Sequence, residues 1–150
     1  HYFGNKAGLF DAAVGEMASR FERVRARLPD APAQRPAAYF DGAAGDRDVI
    51  RLLLWEALET DDGTYVGSEM RAAHMRRAVE VLAEEQRRGR IPPELDVAQL
   101  FLSFQALAAH PFAFPQMTRF ITGLDPDTPE FIEQRREFLV ELGRRLLAVD

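Results

Sequence analysis

A chain of 150 residues, 47% hydrophobic and 29% charged, carries enough apolar mass for one globular domain and is too apolar for a disordered tail. Its formal net charge of −5 argues against a nucleic-acid footprint on this segment, because phosphate binding needs a concentrated basic face. There is no cysteine, which excludes disulfides and thiolate metal sites, and no run nears the roughly 18 apolar residues of a membrane span. With no signal peptide visible, the expected compartment is the cytoplasm, and no membrane partner is expected.

Helical spacing recurs along the whole chain, and no period-two alternation persists, so the predicted class is all-α. The first helix is expected from about Lys6 to Leu28, stopped by Pro29. Its Phe10, Val14, Met17, Phe21, Val24 and Leu28 form one apolar stripe at three-four spacing. Pro29 to Pro36 reads as a linker, followed by a short helix over Pro36–Gly42. Asp46 is placed to cap a helix from Arg47 to about Glu59, ended by the Asp61-Asp62-Gly63 turn. This helix is apolar on nearly every side, which predicts a central, surrounded position. A long helix follows over Ser68–Arg88, closed by Gly89 and reversed at Ile91-Pro92-Pro93. Asp96 caps the next helix, which carries Val97, Leu100, Phe101, Phe104 and Leu107 on one face and runs to His110. Pro111 and Pro115 break the pattern, which resumes at Met117, Phe120 and Ile121. After the Asp125–Pro129 turn, a last helix runs to about Ala148.

The opening string His1-Tyr2-Phe3-Gly4-Asn5-Lys6-Ala7-Gly8-Leu9 places an aromatic pair, a Gly-Asn turn and a lysine before a long amphipathic helix. A lysine at a helix start opposes the macrodipole, and a nearby phosphate would reverse that judgement. Lys6 is also the only lysine among 19 basic residues. The string resembles the junction of TetR-family transcription regulators, where the recognition helix ends and the regulatory domain begins. Tyr2, Phe3, Lys6 and Leu9 stand at the matching places. The order and lengths of the later helices are similar to that family's regulatory domain. The resemblance implies a TetR-type regulatory helical bundle over 6–150, with 1–5 as the residual end of the DNA-recognition helix and its turn. It also implies that His1, Tyr2 and Lys6 contact the DNA backbone, that operator DNA is read by an N-terminal head not present here, and that the body is a homodimer.

In such a domain an effector sits among the central helices. Trp55, Met70, His74, Phe101, Phe104, Phe112, Phe114 and Met117 are the candidate pocket residues, an aromatic- and methionine-rich set suited to a small hydrophobic or aromatic effector. The same residues equally fill an ordinary core, and a lone histidine such as His74 is commonly satisfied by a backbone oxygen. The last two helices are expected to pair across a two-fold as a four-helix interface, through Phe101, Leu107, Leu139, Leu142, Gly143 and Leu146. Gly143 signals a backbone crossing too close for a side chain, at the interface or within the monomer.

Three scattered histidines predict neither metal nor cofactor. The acids Glu56, Glu59, Asp61 and Asp62 sit at a helix end and in a turn, without a nucleophile, base and orienting group to match them, so no enzyme is expected. Two functions remain in view: the regulatory domain of a repressor, relieved by its effector, and a helical oligomerisation module without a ligand.

Overall fold

In the computed structural model, which describes residues 3–59, 63 and 65–147 and only the backbone of 3–11, seven α-helices and one 3₁₀ turn account for the regular structure. They are α1 (Phe3–Ala26), the 3₁₀ turn Pro32–Gln34, α2 (Arg35–Gly45), α3 (Arg47–Glu59), α4 (Ser68–Arg87), α5 (Val97–Ala113), α6 (Pro115–Thr122) and α7 (Pro129–Leu146). No strand occurs among the described residues.

The centre is α5, not α3. It packs against α2, α3, α4 and α6, and six of its side chains are buried, from Leu100 to Phe112. Only Ile50 and Glu56 are buried on α3, and Trp55 is 37% exposed. The reason lies in an exposed line, charged at three of its four positions, that the apolar run of α3 obscures. Asp48, Arg51, Trp55 and Glu59 recur at three-four spacing, all exposed, and form the solvent face. Glu56 is no solvated acid either. Its two oxygens accept from Arg71 Nη1 and Nη2 at 2.7 and 2.9 Å, a buried bidentate pair that ties α3 to α4.

Several ends obey local chemistry. Asp96 caps α5 by accepting from the Gln99 N–H at 2.8 Å, and the Thr128 hydroxyl caps α7 through Phe131 N–H. Gly89 closes α4 at φ +75°, a left-handed conformation that favours glycine. Residues 3–5 belong to α1, so that helix starts earlier than Lys6; it stops at Ala26, because the residue before Pro29 is pushed out of the α region. The Asp61–Asp62 part of the expected turn lies outside the described residues.

Pro111 does not end α5. The helix continues to Ala113 and turns by 90° at Phe114, where Pro115 starts α6. Proline within a helix removes the N–H that would bond the carbonyl four residues earlier. That carbonyl belongs to Leu107, and Arg135 Nη2 of α7 donates to it at 3.1 Å. The lost hydrogen bond is thereby replaced from outside the helix.

Two apolar clusters flank α2. Phe40, fully buried, stacks on Phe112 at 5.6 Å and meets Phe131 edge-on at 6.5 Å, with Ala37, Ala108 and Leu139 around them. Leu82, Ile91, Leu100, Phe101, Phe104 and Leu147 form the second, and Tyr39 touches both.

Candidate functional site

The face of α2 opposite Phe40 fixes the site. Arg35, Tyr39, Gly42, Ala43 and Asp46 recur at helical spacing and line a cavity of about 180 Å³. The other walls are Phe21, Val24 and Leu28 of α1, Val49, Ile50 and Leu53 of α3, Met75, Ala78 and Val81 of α4, and Phe101, Gln105 and Ala108 of α5. Five helices thus surround one mainly apolar hollow. A β-carbon at Gly42 would already touch Val24 Cγ2 at 3.2 Å, so the small residue sets how closely α1 rides over α2. A void of about 150 Å³ is enough to hold benzene in a protein interior, so the hollow has room for a one-ring or short-chain ligand.

The polar groups in the wall are few and mostly committed. Arg20 Nη1 donates to Asp46 Oδ1 at 2.6 Å, so Asp46 ties α1 to the α2–α3 corner. Arg25 donates to both oxygens of Glu22, at 2.8 and 2.6 Å. His74 Nδ1 lies 3.4 Å from Glu22 Oε1, with its ring 6.4 Å from that of Phe21. Arg35 differs from these. It is 6% exposed, its Nε is buried without a hydrogen-bond partner, and no carboxylate among the described residues pairs with it. Burial pushes the Tyr39 phenol above its ordinary pKa while Arg35 opposes that rise, so the hydroxyl stays protonated at neutral pH and keeps a proton to donate.

The candidate pocket residues separate into three places. His74 and Phe101 line the hollow. Phe104 and Phe112 lie in the two apolar clusters, and Arg47 sits 4.7 Å over the Phe112 ring while pairing with Asp127. Trp55, Met70, Phe114 and Met117 are on the exposed surface, away from the cavity wall. Arg35 and Tyr39 stand outside the sequence-predicted set. The available signal is at Arg35: a cation at the first residue of a helix, opposing the dipole, with no acid in the first turn to offset it.

The expected interface residues also divide. Phe101 and Leu139 are buried within the monomer, and Leu107 and Leu142 pack against the Phe40 cluster. Gly143 does mark a close crossing, but an intramolecular one. A β-carbon there would fall inside the Ala33 carbonyl, so α7 lies directly on the 3₁₀ turn. Leu146 is exposed on α7, and the outer surface also presents Leu102 at 62%, Phe138 at 53%, Phe120 at 80% and Ile121 at 72% exposure. His1 and Tyr2, and the side chain of Lys6, lie outside the described residues.

Among protein families, the model of the tetracyclin repressor-like C-terminal domain matches residues 33–145, well over half of the chain. The chain belongs to this family. Searches of curated proteins and of solved structures returned no match. In TetR-family terms the chain is a transcription regulator's C-terminal domain, all-α, with a regulatory role of effector binding and dimerisation. No single helix among the described residues is long and apolar enough to cross a membrane. The family match starts at the 3₁₀ turn, so it takes in four walls of the hollow, while α1 closes the fifth from outside the matched segment.

Proposed function

We propose that this chain is the sensing and dimerisation body of a cytoplasmic transcriptional repressor, released from operator DNA when a small hydrophobic or aromatic effector enters the α1–α5 hollow. The observation that carries the reading is the hollow itself. A family with a regulatory role supplies the context, and five helices around an apolar space supply the place. The effector changes the operator affinity only if it prefers one arrangement of α1. With 24 residues, α1 reaches about 36 Å at a rise of 1.5 Å per residue, long enough to carry a displacement from cavity to head. In this reading Lys6, with His1 and Tyr2, meets the DNA backbone at the far end of that lever. The partner is a second copy, seated on the outer faces of α5 and α7 where Leu102, Phe138 and Leu146 are exposed.

A thermal-shift screen with hydrophobic and aromatic compounds, paired with sedimentation equilibrium, tests both halves. A ligand at a hundred times its dissociation constant adds about 2.7 kcal/mol of stability, several degrees for a domain of this size. A dimer with at least one stabilising compound is the expected result. A dimer that no compound stabilises makes this an oligomerisation module, and a monomer removes the interface.

A further inference from the structure

We infer that the effector is an anion, a hydrophobic monocarboxylate whose carboxylate is bound by Arg35 with the Tyr39 hydroxyl as second donor, and whose apolar body lies against Val49, Leu53 and Met75. This rests on the hollow being the effector site and adds the charge of what enters it.

Three arginines, a histidine and one aspartate line the hollow, so cations outnumber carboxylates in the wall. Asp46 is taken by Arg20, and Arg25 turns to Glu22 on its own helix. Arg35 is the cation left over. Burying a guanidinium without a partner is costly, and the cost is usually met by a carboxylate or by full hydrogen bonding. Here neither is supplied to Nε by the protein. A guanidinium is the side chain best matched to a carboxylate, in two parallel hydrogen bonds. Arg35 is also the first residue of α2, and that helix end has no acidic residue in its first turn and no side-chain cap. The positive end of the helix dipole therefore adds to the guanidinium charge instead of being offset. Tyr39 follows one turn later on the same face. Apolar walls cover the remainder of the hollow, which fits a single negative charge at one end of a greasy molecule and opposes a multiply charged one.

The test uses matched pairs of probes on the unmodified chain: hexanoate against hexanamide and benzoate against benzamide, by calorimetry at pH 7. The expected result is that each acid binds roughly tenfold or more tightly than its amide, because only the carboxylate brings an opposite charge and two parallel hydrogen bonds to the guanidinium. In the Arg35→Met variant, checked for helix content by circular dichroism, the acids should lose that advantage, while the amides should weaken far less than the acids. If acid and amide bind alike, or if the acid's advantage survives R35M, the inference is overturned and the effector site stands. If neither class binds, even at millimolar concentration, the effector site itself is refuted and the inference goes with it. Should R35M fail to fold, the acid and amide pairs on the unmodified chain decide the matter alone.

Discussion

The two sides of α2 contrast. On one side Phe40 is sealed under Phe112 and Phe131, and α7 presses so closely on the 3₁₀ turn that Gly143 has no room for a β-carbon. On the other side Arg35, Tyr39 and Gly42 face a hollow that α1, α3 and α4 enclose without filling. The same helix thus supplies a wall of a dry core and a wall of a cavity. The difference teaches that the domain is close-packed where α2 meets α7 and left open where α1, α3 and α4 face it. Close packing transmits strain, and a hollow accepts ligands, so both are needed for a sensor.

Matched substitutions across α2 sharpen that contrast. The largest effect is expected from Phe40→Ala, which opens a cavity in the dry core and should cost about 3–5 kcal/mol by denaturant unfolding. Next comes overpacking of the same side. Gly143→Ala and Ala37→Leu should each cost about 1–3 kcal/mol, since neither the Ala33 backbone nor the buried Phe40 cluster can yield freely. The same enlargement on the hollow side should behave differently. Ala78→Leu, projecting from α4 into the cavity, should leave stability within about 1 kcal/mol of the parent, because space is already there. It should also abolish any thermal shift from effector-sized compounds. A loss as large as that of Ala37→Leu would mean that the two sides are equally packed.

The smallest effect concerns the end of the scaffold. Glu141 is held to a pKa of about 2, well below its ordinary 4.5, because Arg144 and then Arg145 donate hydrogen bonds to its carboxylate. A carboxyl group with a lowered folded-state pKa stabilises the fold above its unfolded value, and the contribution fades as pH falls from about 4.5 towards 2. Glu141 is about half-exposed and both arginines are exposed, so salt should weaken the cluster. An NMR titration of the Glu141 side chain should show the low value in the parent and a return towards the ordinary range in Arg144→Ala. The cavity side should not respond to this change.

Much of the fold was legible from the chain. The cap at Asp96, the closing Gly89 and the stripe containing Val14 and Met17 are short-range or single-face signals, and these survive the transfer to three dimensions. The position of α3 was not legible, because an apolar count does not show which angular sector is polar. Pro111 was misleading for a related reason. The lost hydrogen bond is made good by Arg135, 28 residues away in sequence, and no local pattern carries that information. The site was legible in part. His74 and Phe101 line the hollow, and large apolar residues such as Trp55, Phe114 and Met117 lie outside it. Size and greasiness suit a core, a surface and a pocket alike. The residue that sets the hollow apart is a cation, Arg35, and its lack of a partner is visible only once the neighbouring helices are in place.

The claim under all of this is that the interior between α1 and α5 is an open apolar space. Diffraction from a xenon-pressurised crystal measures that directly, because xenon enters dry cavities and marks them with strong anomalous density. The account predicts a xenon site bounded by Val24, Ile50, Met75 and Phe101, displaced by Ala78→Leu. A map with no xenon there, and with those side chains in van der Waals contact across the gap, would contradict it.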